Sequence, residues 1–122
     1  MKIEYIKNIA KVLSVLVAEK GDYSYIDKLG YAPSKDLAFF YLREAFRDLH
    51  SLIRSGKFEN EKARKMLDRI DYKSVEEAID GIAKIGNKRA LRETLSLISS
   101  YALNFSAGLI TEETLSSVPE SK

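Results

Sequence analysis

Apolar residues recur at intervals of three and four along nearly the whole chain, and this spacing constrains the fold more than any other feature. It matches the period of an amphipathic helix, whereas a half-buried strand would alternate apolar and polar residues. Short segments containing glycine, proline or asparagine separate the periodic stretches, as they do at helix ends. The pattern predicts an all-α fold, a compact bundle of about five helices with short connections.

The ends of the helices are predicted from capping residues. Ser34 is a favourable N-cap, and Ser74 with Glu77 forms a capping box that opens a further helix. Gly21, Gly56 and Gly108 are expected to end helices. The predicted helices are Lys2–Lys20, Lys35–Ser55, Asn60–Ile70, a helix that Ser74 opens and Ile85 ends, and Lys88–Ala107, with Asp22–Gly30 as a short helix or turn.

The chain is short enough for one domain, which is predicted over residues 1–110. In the first helix, Ile9, Leu13 and Leu16 are expected to face the core, with Lys7 and Lys11 on the opposite side. The remaining residues, 111–122, read TEETLSSVPESK. This polar, acidic C-terminal tail is expected to fray after at most one weak turn.

Composition excludes several kinds of active site. The chain has no cysteine, which rules out disulfides, thiolate catalysis and cysteine-ligated metal centres. His50 is the single histidine, so a site with several histidine ligands from one chain is excluded as well. We therefore expect no metal and no cofactor. No apolar run of about 18 residues is present, so no membrane span is expected and the cytoplasm is the predicted location.

Positive charge is concentrated in the middle of the chain. The 20 basic and 18 acidic residues give a net charge of only +2. Residues 43–73 nevertheless contain nine basic and six acidic side chains, whereas residues 74–122 contain five and seven. A nucleic-acid surface requires a local excess of lysine and arginine, so it is expected in this middle region.

The central helix carries a basic ridge, made of Arg43, Arg47, His50 and Arg54. These residues are spaced four, three and four apart and fall within about 60° of one another on a helical wheel. Guanidinium groups bind phosphate oxygens through paired hydrogen bonds. The basic ridge is therefore expected to bind a nucleic-acid backbone without sequence preference and in a salt-sensitive manner.

Further basic residues extend this surface. Lys57 follows the basic ridge, and the next helix presents Lys62, Lys65 and Arg69 as one stripe. Basic residues at the start of the last helix oppose the helix dipole, which an anionic ligand would offset. The predicted nucleic-acid-binding residues are Arg43, Arg47, Arg54, Lys57, Lys62, Lys65, Arg69, Arg89 and Arg92.

The basic ridge and one face of the last helix each have more than one interpretation. The basic ridge is alternatively a solvated face whose arginines pair with carboxylates of the same helix, Glu44 and Asp48. Ser96, Ser99 and Ser100, together with Ala102 and Ala107, give the last helix a face of small side chains that permits close approach of a second subunit. Self-association is therefore one expectation for this face, and a solvated serine face is the other.

Four segments follow one another in a characteristic order: the apolar helix IAKVLSVLVA, the segment YSYIDKL, a serine-initiated helix with Tyr41, Arg43 and Arg47, and the closing stretch RALRETLSLISSYAL. In this order they resemble the small subunit of archaeal type I-A CRISPR effector (Cascade) complexes, over roughly residues 6–57 and 89–103. The resemblance implies a non-catalytic subunit in antiviral defence. Its partners would be other CRISPR effector subunits and the guide RNA or target DNA backbone, while base pairing supplies sequence specificity. Arg43, Arg47 and Arg89 are the positions whose local context matches.

The segment REAFRDLH suggests a different activity. Arg43 and His50 form an R-x6-H pattern that resembles the active-site motif of HEPN-family ribonucleases, small all-α domains acting as dimers. The resemblance implies that Arg43 stabilises charge on an RNA phosphate and that His50 is a general acid or base. A helical protein–protein adaptor without nucleic-acid binding is the third hypothesis.

Overall fold

Helix α1, Ile3–Lys20, lies at the centre of the fold. In this computed structural model, which describes residues 1–117 and side chains as far as Ile110, α1 packs against each of the other helices. Side chains on nearly all sides of α1 are buried between Ile6 and Val17. A helix that is apolar all round is stable only when neighbouring elements cover it, so the other helices must surround α1.

The polar residues of α1 are satisfied within the fold. Ser14 is fully buried and its hydroxyl donates to the Lys11 carbonyl at 2.8 Å. The buried Asn8 side chain accepts a hydrogen bond from the Asp71 amide at 3.3 Å. Lys11 was expected to face solvent, but it is half-buried and its ammonium donates to the Arg69 carbonyl at 3.1 Å. A long lysine side chain can bury its stem along apolar surface and still present its charged end to an acceptor.

The remaining helices are α2 (Ser24–Gly30), α3 (Lys35–Ser55), α4 (Glu61–Met66), α5 (Tyr72–Ala83) and α6 (Lys88–Ser117). A single 3-10 turn, Leu67–Arg69, continues α4. No strand occurs within residues 1–117, so the predicted all-α class is confirmed. None of these helices is long and apolar enough to cross a membrane over the part of the chain described.

Several predicted helix ends are confirmed by their geometry. Ser34 caps α3 by accepting a hydrogen bond from the Leu37 amide at 3.2 Å. Gly21 and Gly56 follow α1 and α3 with φ of 67° and 68°, a left-handed conformation that glycine adopts without steric cost. The helices therefore stop where a glycine allows the chain to turn.

The predicted start of α5 is wrong by three residues. Asp71, not Ser74, is the N-cap, and its carboxylate accepts hydrogen bonds from the Ser74 hydroxyl at 2.7 Å and the Ser74 amide at 3.3 Å. These bonds hold the pKa of Asp71 below its ordinary value. Glu77 forms no capping box; its carboxylate instead accepts from the Tyr5 hydroxyl at 3.1 Å. Aspartate and serine are both favourable N-cap residues, and Asp71 follows the buried Ile70 directly.

The predicted end of the last helix is also wrong. Helix α6 continues through Gly108 to Ser117, so the predicted tail begins inside the helix, while residues 118–122 lie outside the described part. An isolated glycine destabilises a helix by only about 1 kcal/mol relative to alanine. Leu109 is buried in the core directly after Gly108 and offsets this loss. At its other end, α6 is capped by Asn87, whose side chain accepts a hydrogen bond from the Ala90 amide at 3.0 Å.

Two polar contacts fix neighbouring helices to one another. The Glu19 carboxylate at the end of α1 accepts the backbone amides of Glu59 and Asn60, both at 2.8 Å, just before α4 begins. The Tyr25 hydroxyl of α2 donates to the Asp48 carboxylate of α3 at 2.6 Å. Each contact joins segments that are far apart in sequence, so each fixes tertiary structure rather than a single helix.

Removing a core side chain from α1 should destabilise the whole bundle. Leu16 is fully buried, so Leu16→Ala is expected to lower the free energy of unfolding by about 2–5 kcal/mol. Leu97→Ala is the matched control on α6, because Leu97 is 44% exposed and should change stability by less than about 0.5 kcal/mol. Urea unfolding curves measure both values. Similar losses for the two variants would contradict the central position of α1.

The contact between Tyr25 and Asp48 should make stability depend on pH in the alkaline range. Burial, followed by the hydrogen bond to Asp48, raises the pKa of Tyr25 above its ordinary value. Its stabilising effect is therefore complete below the unfolded-state pKa of about 10 and is lost as the pH rises further. We expect Tyr25→Phe to lower the free energy of unfolding by about 1 kcal/mol at neutral pH.

The stability difference between wild type and Tyr25→Phe is expected to shrink above about pH 10. Tyr23→Phe, on an exposed side chain in the same segment, is the matched control and should change the free energy of unfolding by less than about 0.5 kcal/mol. Urea unfolding repeated across this pH range gives the comparison. A difference that stays constant would show that the Tyr25 hydroxyl is not held as described.

Candidate functional site

The basic ridge of α3 is exposed to solvent along its whole length. Arg43, Arg47, His50 and Arg54 are all exposed, as the helical-wheel argument predicts. The core side of the same helix buries small and branched apolar residues, Ala38, Leu42, Ala45 and Leu49. Burial of these apolar residues leaves the residues of the basic ridge facing outward.

The carboxylates of α3 are turned away from the basic ridge. Asp48 accepts the hydrogen bond from Tyr25, and Glu44 lies 3.8 Å from the Lys28 ammonium. Both partners belong to α2, which packs against the opposite flank of α3. Arg47 and Arg54 consequently form no ion pair with any described residue, and the intrahelical pairs of the alternative interpretation are not found.

Aromatic side chains lie beside the basic ridge. The Arg43 guanidinium lies 4.9 Å from the centre of the half-buried Phe39 ring, a cation–π contact. Phe40 is 54% exposed and precedes Arg47 by seven residues, so both lie on the same face of α3. An exposed aromatic ring next to free guanidinium groups is a combination found in single-strand binding surfaces.

The stripe on α4 lies in a different groove. Lys62, Lys65 and Arg69 line a cavity of about 330 Å³ together with Met66 and Leu109 of α6. Arg64, on the same helix, instead pairs with Glu61 at 2.6 Å, which lowers the pKa of that carboxyl. The three predicted residues are thus brought together as expected.

The two basic surfaces lie on helices that pack against different neighbours. Helix α3 packs against α1, α2 and α5, whereas α4 packs against α1 and α6. Lys57 is exposed in the turn after α3 and is nearest in sequence to both surfaces. Sequence spacing alone does not reveal these neighbours, because they depend on how the helices pack together.

The basic residues at the start of α6 have separate environments. Arg89 is 3.5 Å from the Glu93 carboxylate on the next turn. Arg92 lines a cavity of about 400 Å³ with Lys35 and Lys88, between the beginnings of α3 and α6. The Lys35 ammonium donates to the Ile85 carbonyl at 2.8 Å, which connects the start of α3 to the segment after α5.

The small residues of α6 also divide into two groups. Ser99 packs inward against α2, where a Cβ at Gly30 would lie 3.1 Å from the Ser99 hydroxyl. Ser96, Ser100 and Ala107 remain exposed. Close helix approach through Ser99 therefore occurs within the chain, between α2 and α6.

Arg43 and His50 share a groove with two acidic residues that sequence reasoning missed. The α3/α5 groove, about 440 Å³ in volume, is lined by Arg43, Phe46 and His50 of α3 and by Tyr72, Glu76, Ile79 and Asp80 of α5. Glu76 and Asp80 would repel a phosphate placed beside Arg43 and His50. Their spacing on one face of α5 was visible in the sequence, but the pairing of α5 with α3 was not.

The described residues hold no cluster of three or more His, Asp or Glu side chains that would bind a metal ion. Burial raises the pKa of Tyr72, and the negative charge of Asp68 adds to this effect. Tyr72 is therefore a neutral phenol at the edge of the groove near physiological pH. The candidate site thus consists of charged and aromatic side chains.

No protein-family model matches the chain, and no solved structure matches it significantly. A protein of Archaeoglobus fulgidus that carries the description "uncharacterized protein" is 60% identical over 102 residues, which cover 84% of this chain and 88% of that protein. Identity of this extent over most of both chains shows common descent. The chain belongs to the same protein family as this archaeal relative.

Proposed function

We propose that the chain is a non-catalytic assembly subunit that binds a nucleic-acid backbone through Arg47 and Arg54, the part of the basic ridge on α3 that lies outside the α3/α5 groove. The observation that carries the proposal is the charge distribution on this helix. Arg47 and Arg54 are exposed and unpaired among the described residues, while Glu44 and Asp48 are engaged by α2. Contact with α2 thus engages the two carboxylates of α3 that could otherwise pair with the arginines of the same helix.

Polyanion binding follows from simple electrostatics. Neighbouring arginines on one helix face repel one another, and a phosphate backbone relieves that repulsion while releasing its own counterions. Arg47 and Arg54 lie two turns apart on a 21-residue helix, so they match a linear array of phosphates better than a single anion. Phe40, exposed on the same face, adds a ring on which an unpaired base can stack.

The resemblance to the small subunit of type I-A CRISPR effector complexes supplies a biological setting for the proposal. In that setting the chain assembles with other effector subunits and supports the guide RNA or the target DNA through its basic helix faces. Sequence specificity then comes from base pairing, so the chain itself needs only backbone contacts. The groove lined by Arg43, His50, Glu76 and Asp80 has no part in this proposal, because its carboxylates oppose phosphate binding.

A triple variant of the exposed cations tests the proposal. Arg47→Gln, Arg54→Gln and Lys57→Gln together should weaken binding of single-stranded RNA and of duplex DNA. Each lost phosphate contact should reduce the slope of log affinity against log salt by about one, so the slope should fall by up to about three. Fluorescence anisotropy at several salt concentrations measures affinity and slope together.

The matched control replaces three cations elsewhere on the surface, as Lys20→Gln, Lys73→Gln and Lys84→Gln. It changes the net charge by the same amount, and all three lysines are exposed outside α3. The control should bind nearly as well as wild type. Equal losses in the two triple variants, or no binding by wild type, would overturn the proposal; the latter would favour the adaptor hypothesis. Cleavage of the RNA that disappears in His50→Ala would favour the ribonuclease instead.

A further inference from the structure

The two walls of the α3/α5 groove carry opposite charges that do not pair with each other. Arg43 and His50 lie on the α3 wall, and Glu76 and Asp80 lie on the α5 wall. No ion pair joins the two walls, and the Arg43 guanidinium contacts the Phe39 ring instead. Within the described part of the chain, the charged groups of this groove therefore lack ionic partners.

Apolar side chains lie between the charged walls. Phe46 and Ile79 are half-buried in the groove, and Tyr72 is 38% exposed at its edge. Ile53 follows Phe46 by seven residues and is also 38% exposed, so it extends the apolar strip along α3. A half-covered apolar strip flanked by unpaired charges is typical of an interface with a polar rim.

We propose that the α3/α5 groove binds the same groove of a second copy of this chain. A two-fold axis running along the groove places α3 of each protomer over α5 of the other. The symmetry operation keeps each residue at its level along the groove, so the basic wall of one copy faces the acidic wall of its partner. The groove is thus complementary in charge to itself under this one symmetry operation.

Other occupants match the groove less well. A nucleic-acid backbone would meet Glu76 and Asp80, and a uniformly basic partner would meet Arg43 and His50. A second copy supplies opposite charge to both walls at once, and each copy covers the apolar strip of the other. Arg47 and Arg54 do not line the groove. The dimer therefore does not depend on the proposed nucleic-acid function.

Charge reversal with rescue tests the dimer. Wild type should be a dimer by sedimentation equilibrium. Arg43→Glu and Asp80→Arg should each raise the dimer dissociation constant at least about tenfold. Each charge reversal brings like charges together at two places in the dimer, because the two-fold axis repeats every contact. An equimolar mixture of the two single variants should form a heterodimer, because the acidic replacement at position 43 of one chain then faces the wall with the basic replacement at position 80 of the other, and the unchanged Arg43 wall faces the unchanged Asp80 wall. The double variant R43E/D80R should again form a homodimer.

Arg47→Glu is the matched control, because Arg47 lies one turn from Arg43 but outside the groove. It should dimerise like wild type, and circular dichroism confirms that each variant is folded. A monomeric wild type at all concentrations would overturn the proposal. So would single variants that remain dimeric, or a mixture that remains monomeric although both variants are folded.

Discussion

Burial of α1 on nearly all sides is the constraint on which the rest of the structure depends. Fully burying a large aliphatic side chain contributes about 1.5–3 kcal/mol, and α1 buries Ile9, Leu13 and Leu16 together with several valines. That stabilisation is available only if helices pack on every flank of α1. The short helices α2 and α4 are therefore as necessary as the long ones, because each covers a part of α1 that would otherwise face water.

The same arrangement determines where charge is exposed. Helices α3 and α6 each turn an apolar face to the core and leave a polar face outside. On α3, contact with α2 also engages Asp48 and Glu44, so the exposed face is left with unpaired arginines. Beside it, α5 brings Glu76 and Asp80 across from Arg43 and His50. Packing thus divides the basic ridge of one helix into two parts with different electrostatic surroundings.

The all-α class and most helix positions were predictable, because periodicity and helix ends are local properties of the sequence. Gly21 and Gly56 end helices in the left-handed conformation, and Ser34 caps α3, as expected. The errors at Ser74 and Gly108 arise where tertiary packing selects among locally acceptable alternatives.

The candidate site was predictable only in part. Exposure of the ridge arginines follows from the helical wheel of α3, which is a property of one helix. The hydrogen bond from Tyr25 to Asp48 and the α3/α5 groove depend on which helices become neighbours, and periodicity does not encode that choice. The different packing neighbours of α3 and α4 have the same origin.

The central claim is that the outward face of α3 is the nucleic-acid surface. The most direct measurement is a two-dimensional ¹H–¹⁵N NMR titration of this 13.8 kDa chain with single-stranded RNA at low salt. The account predicts the largest shift changes at Phe40, Arg47, Arg54 and Lys57, and little change at Ser96 and Ser100. Changes centred on the Lys62–Arg69 groove or on α5, or no changes at all, would contradict it.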